Sequence, residues 1–197
     1  ANVIEGRNPP TTLGIGLIED ISDAAIVANA DPDDLNADGI SGRVRYVGQQ
    51  VGKYGWKGDI PSISDFVADA LFNEIGITLH PSLSTFTGTD DDECEDPELE
   101  TDEFSAIATY LRYLAPHPRS EITAEVLSGE QVFHDVGCAA CHIPSLEGVE
   151  LYSDLLLHDI AENELLLVDQ DAVASATEFK TPALWGLSAT GPYLHDG

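Results

Sequence analysis

The apolar positions of the chain fall mostly at helical spacing, and strand-like alternation is scarce. Ile63, Phe66, Val67, Ala70 and Leu71 form one stripe, which predicts an amphipathic helix stopped by Gly76. Phe104, Ile107, Ala108, Leu111 and Leu114 form a second stripe, opened at Asp96-Pro97 or Thr101 and closed by Pro116. A further helix is expected in "SGEQVFHDVG", where Ser128 as N-cap and Gln131 three residues on make a capping-box pattern. Phe133 and Val136 share one side of it, and Gly129 and Phe133 stand where a second helix would lie close. The stretch "TGTDDDECEDPELETDE" reads as a polar acidic loop, and "APHPRS" (115–120) as a linker between two units. Beyond residue 143 come short apolar runs, "DLLLHDI" and "ENELLLVDQ", separated by loops. The expected class is mainly α, with long irregular connections.

Composition narrows the partners. Asp and Glu number 36 against 8 Lys and Arg, a formal net charge of -28. Such a surface repels nucleic acid and anionic lipid and attracts cations or a protein with a basic face. A hydrophobic content of 43% is that of a folded globular chain. No apolar run approaches the ~20 residues that cross a bilayer. The first residues, "ANVIEGRNPP", carry no signal-peptide pattern and no Met, so the chain reads as processed or as a piece of a longer one.

The chemistry concentrates in "DVGCAACHIPSL", Asp135 to Leu146. C-x-x-C-H is the attachment sequence of c-type haem. Thiols three positions apart at a helical turn can each reach one vinyl group on the same porphyrin edge. Cys138 and Cys141 are those thiols, and His142 is directed beneath the ring as the iron ligand. A zinc ribbon needs a second ligand pair, but the remaining cysteine is Cys94 alone. A redox dithiol belongs in a βαβ pattern, which is missing, and a disulfide across two residues is strained. Cys94 is left as a loop thiol or half of a bridge to another segment.

The other face of the iron has no methionine to bind, since the chain contains none. His134, His80 and His117 read as surface or loop histidines. His158 in "LLLHDI" and His195 in "YLHDG" are the candidates for a distal ligand or an active-site histidine, each against a structural alternative. Bis-histidine ligation would give a lower potential than Met/His ligation; an open face would admit peroxide.

"DPDDLNADGISG" (31–42) is the second informative stretch. From Asp34 it reads as the opening of a calcium-binding EF-hand loop, with Asp34, Asn36 and Asp38 offering side-chain oxygens, Gly39 the turn and Ile40 its carbonyl. The twelfth position is Arg45 rather than a bidentate Glu, so Asp31, Asp33 or Ser41 would complete the shell. An Asp/Asn-rich turn that binds nothing is the alternative.

These blocks together resemble the di-haem oxidoreductase family of peroxidase-like proteins, distantly similar to bacterial di-haem cytochrome c peroxidases. The resemblance runs from about Thr12 to the end, through "GKYGWKGDI", "FVADALFNEIGIT", "FSAIATYLRYLAP", "GCAACHIP", "YSDLLLHDI" and "KTPALWGLSATGPYLHDG". It implies two cytochrome-c-like helical domains, each with a haem. Residues 1–115 would be the latter part of the first, with its haem motif missing, 116–120 a linker, and 121–197 the second. It also implies Ile75 where a methionine is usual.

By analogy with the peroxidase relatives, Trp56 would relay electrons between haems; a Trp among glycines otherwise packs over a cofactor or core, and Trp185 is expected to pack the haem pocket. Lys57 or Lys180, rare cations here, could pair with a haem propionate. The function implied is a periplasmic or extracellular c-type haem protein that reduces peroxide with electrons from a small donor. Its rivals are a six-coordinate electron carrier and a calcium-stabilised domain of a larger assembly.

Overall fold

Short polar side chains set where the helices begin. Ser22 accepts a hydrogen bond from the Ala25 N–H at 3.2 Å and opens helix α2 (Asp23–Val27), directly after α1 (Ile15–Asp20). Ser62 accepts from the Asp65 N–H at 3.1 Å and opens α3 (Ile63–Ala70), which runs into a π turn at Leu71–Ile75. Gly76, at φ 80°, ends it as the stripe predicts, because that left-handed conformation favours a residue without Cβ. Helix α4 (Thr101–Arg112) starts at the second of the two expected positions, with Glu103 accepting from the Glu100 N–H at 3.1 Å. The structure is a computed structural model that describes residues 8–83, 93–161 and 173–194.

One expected boundary moves. Helix α5 spans Ala124–Asp135 and is capped by Thr123, whose Oγ1 accepts from the Val126 N–H at 3.3 Å. Ser128 therefore lies inside the helix. Ala124, Glu125 and Leu127 favour helix, so the turn propagates back to the nearest available cap. Gln131 bonds Asp135 at 2.8 Å instead of closing a capping box. Among the described residues nothing lies within 4 Å of where a Gly129 Cβ would point, so none of the described helices packs against it there.

Two short antiparallel pairs complete the elements: β1 (Tyr46–Val47) with β2 (Gln50–Val51), and β3 (Leu157–Asp159) with β4 (Glu178–Lys180). In the second pair Leu157 faces Lys180, and His158 faces Phe179. Arg43 also bridges to Leu157 by two backbone bonds of 2.9 and 3.0 Å. The run "ENELLLVDQ" lies outside the described residues. Of the described residues, helices make up 31% and strands 11%, so helices lead but irregular connections dominate, and the expectation of a mainly α chain is met only in that sense.

The core explains why. Ile15, Ile18, Ile21 and Ile26 pack with Ile63, Val67, Phe104 and Ala108 from the helices. The same cluster takes Leu146, Leu151, Leu155 and Leu156, which arrive on irregular chain rather than on a helix. That chain is pinned by Leu184 N–H to Leu151 O at 3.0 Å and Thr181 N–H to Leu156 O at 3.0 Å. Helix α1 crosses α4 so closely that a Cβ on Gly16 would sit 1.9 Å from the Arg112 carbonyl oxygen. No helix among the described residues is long and apolar enough to cross a membrane.

Candidate functional site

Helix α5 delivers the cysteine–histidine motif. It ends at Val136, Gly137 turns the chain at φ 89°, and a single 3-10 turn follows at Cys138–Ala140. The His142 N–H closes this turn on the Cys138 carbonyl at 3.0 Å. Both thiols and the imidazole thus hang from one turn, as the spacing requires. Cys138 is exposed, Cys141 is half-buried, and no disulfide joins them.

The imidazole is fixed by its neighbour in the fold. His142 Nδ1 lies 2.7 Å from the Tyr152 carbonyl oxygen. A carbonyl only accepts, so Nδ1 carries the proton and the lone pair resides on Nε2. Nε2 has no hydrogen-bond partner among the described residues. That tautomer, with the second nitrogen held by a carbonyl, is what a metal-ligating histidine needs. Phe133 meets the His142 ring edge-on at 6.3 Å and the Tyr152 ring at 6.0 Å. The Tyr152 hydroxyl donates to Glu130 at 3.0 Å and accepts from Arg119 at 3.0 Å. Burial, and then the Glu130 carboxylate, raise its phenol above the ordinary range. A cavity of about 590 Å³, lined by Arg119, Tyr152, Trp185, His117 and Leu184, opens beside it.

Cys141 has its own buried support. Its Sγ lies 3.5 Å from His158 Nδ1, which also reaches the Ser41 carbonyl at 3.0 Å. His158 Nε2 meets Asp154 Oδ2 at 2.8 Å, and the Asp154 N–H donates to the Cys141 carbonyl at 3.0 Å. Both nitrogens of His158 therefore face acceptors. Burial opposes the imidazolium, but the bonds to Asp154 and Cys141 outweigh it and push its pKa up to about 10. A Cβ on Gly42 would stand 2.7 Å from His158 Cε1, so the 31–42 loop closes directly over this ring.

Helix α5 buries none of its side chains, and on one side of it Val126, Val132 and the C-capping Val136 are 39%, 54% and 67% exposed. An uncovered apolar face next to two unbridged thiols and an imidazole with a free Nε2 fits a flat apolar ring held by thioethers.

The other predicted residues are spread through the fold. In the 31–42 loop, Asp34 accepts from the Gly39 N–H at 3.2 Å, Asn36 from the Asp38 N–H at 2.9 Å and Asp38 from the Ile40 N–H at 2.9 Å. No group of three or more His, Cys, Asp or Glu is clustered to hold a metal among the described residues. Trp56 donates its ring N–H to the Asn8 carbonyl at 3.1 Å, and Trp185 to that of Glu150 at 2.7 Å. His80 bonds Ser82 on the surface, and His117 and His134 are exposed. His195 lies outside the described residues. Reasoning from sequence missed Asp154, which meets His158 by its carboxylate and Cys141 by its N–H, and Tyr152, which acts through a carbonyl that no residue pattern announces.

Two thiols and one imidazole presented from a single turn are the arrangement that c-type haem attachment uses. The chain belongs to the di-haem oxidoreductase family: that family's model, described as "Di-haem oxidoreductase, putative peroxidase", matches residues 2–197. Membership gives it a haem-based redox role. It is also similar to the methylamine utilization protein MauG of Methylorubrum extorquens, 36% identical over 110 residues. That match covers 47% of this chain and 30% of the MauG sequence, so the chain spans less than a third of that relative. No solved structure matches it.

Proposed function

We propose that Cys138 and Cys141 carry a c-type haem by thioether bonds, that His142 Nε2 binds its iron, and that the chain is part of a di-haem, peroxidase-like oxidoreductase. The observation that carries this reading is the 2.7 Å bond from His142 Nδ1 to the Tyr152 carbonyl, which leaves Nε2 as the one ring atom with a lone pair to give. The haem supplies the electron chemistry, and the chain sets its ligation, burial and access. Tyr152, held by Glu130 and Arg119, orients the imidazole through its carbonyl. The apolar face of α5 keeps water from one edge of the ring. Asp154 and His158 fix the Cys141 side of the turn.

The reducing equivalents come from a partner with a basic face, matched to the acidic surface of this chain. Thioether attachment of haem takes place outside the cytoplasm, which assigns a periplasmic or extracellular location. Asp34, Asn36, Asp38 and the Ile40 carbonyl are a hard-oxygen set suited to a structural calcium ion.

Two measurements test the reading. Replacing Cys138 and Cys141 together by Ala abolishes the colour that survives acid-acetone extraction; covalent colour that persists defeats the assignment. Added peroxide converts a high-spin component of the spectrum and supports turnover of a donor dye. A low-spin spectrum that ignores peroxide makes the protein a carrier instead.

A further inference from the structure

Among the described residues four Lys and Arg side chains are buried, and three of them show how this fold treats an interior ammonium. Lys57, 2% exposed, donates to the carbonyls of Ser175, Ala176 and Glu178 at 2.5–3.0 Å and lies 3.8 Å over the Phe179 ring. Lys53 donates to the Ile21 carbonyl at 2.6 Å and pairs with Asp23 at 3.2 Å. Lys180 is 7% exposed, yet among the described residues the only hydrogen bond of its Nζ is a 3.5 Å contact to the Thr181 carbonyl. That oxygen already accepts from Ser153 Oγ at 2.7 Å. No carboxylate lies within 4.0 Å of the Lys180 Nζ among the described residues.

An ammonium has three protons to place, and burying it without partners costs several kcal/mol. Burial accordingly pushes Lys180 down to about 8, against the pull of Asp154 and Asp59. Lys180 belongs to the strand pair that also carries His158, the neighbour of Cys141: it faces Leu157 across β3–β4, and its N–H donates to the Trp56 carbonyl at 2.8 Å. A second buried cation, Arg45, is close by: a Cβ on Gly58 would stand 3.4 Å from Lys180 Cδ and 3.5 Å from Arg45 Cβ.

We infer that Lys180 is one wall of an interior carboxylate site, and that its occupant is a propionate group of haem. The inference rests on the haem reading above. A carboxylate supplies the acceptors that the chain withholds, and Lys57 does not compete for it because its protons are spent on carbonyls.

The test uses the haem-loaded protein and its variants Lys180→Met and Lys180→Arg, with haem content measured first by the pyridine haemochrome spectrum. Absence of covalent haem in the wild type counts against the haem reading, not against this site. With haem in place, Lys180→Met lowers the midpoint potential, because a positive charge near the ring favours the incoming electron. It also shifts the propionate bending band in resonance Raman, and it lowers the Tm. Lys180→Arg restores all three; loss of haem in the Met variant alone also supports the site.

The opposite set overturns it: unchanged potential and Raman band with a raised Tm, the signature of deleting an uncompensated buried charge. A Tm that climbs with added acetate or phosphate in the wild type, but not in Lys180→Met, assigns the site to a soluble anion and overturns the propionate.

Discussion

His158 Nε2 stands 2.8 Å from Asp154 Oδ2, and both side chains are sealed from water, at 6% and 3% exposure. The pair bonds the Cys141 carbonyl on one side, through the Asp154 N–H, and the Ser41 carbonyl on the other. One charged couple thus ties the haem turn to the Asp-rich loop.

This couple sets the alkaline limb of stability. The folded pKa of His158 is raised from 6.5 to about 10, so its contribution is complete below 6.5 and fades as pH rises through 10. Lys180, lowered to about 8, works in the opposite sense between 8 and 10.5, so the comparison is made in a Lys180→Met background. Urea midpoints should fall between pH 6.5 and 10 there, and Asp154→Asn should flatten that fall while costing roughly 1–3 kcal/mol at pH 7. An unchanged slope in Asp154→Asn would refute the role given to the pair.

Glu178 governs the acid limb. The side-chain bond from Arg43 outweighs burial and, with the Ser175 N–H, holds Glu178 at about 2 instead of 4.5. Its contribution is present above 4.5 and lost as pH drops through 2. Glu178→Gln should lower stability at pH 7 by roughly 1.5–3 kcal/mol, a charge-assisted bond's worth, and by little at pH 2. Chemical denaturation at the two pH values checks this.

The two cysteines are unequal. Cys141 is half-buried against His158, while Cys138 faces solvent. In the haem-loaded protein, Cys141→Ala should lower the Tm more than Cys138→Ala, with one thioether left in each. Equal losses would mean that the His158 contact carries no energy.

Much of the helical frame was readable because amphipathic stripes and a glycine stop act locally. The Ile63–Leu71 stripe, its end at Gly76 and the start at Thr101 are such cases. Ser128 misled because a capping pattern fixes a start only when the residues before it resist helix, and Ala124–Leu127 do not. The haem motif was legible as spacing along one turn. Its supports were not: Tyr152 acts through a carbonyl ten residues on, and Ser41 through a carbonyl from the far side of the fold. Nor could charge counting separate Lys57 from Lys180, since the difference lies in which carbonyls the chain folds around each.

A chelator tests the 31–42 loop. Removing bound cations should lower the Tm, calcium should restore it, and the haem spectrum should stay the same, because Ser41 and Gly42 of the loop meet His158 rather than the turn itself. A Tm indifferent to chelation would leave Asp34, Asn36 and Asp38 as the staples of a self-closed turn.

Drawing Arg45, Lys53, Lys57 and Lys180 inside leaves at most four basic side chains to temper the acids at the outer boundary, of which the buried Asp154 is not one. The molecule therefore wears an almost unmixed anionic coat. Two copies meeting in dilute buffer push each other away, and dissolved salt shortens that push to within ~10 Å at 0.1 M. Crowding, brine and docking speed all turn on this one allocation of charge.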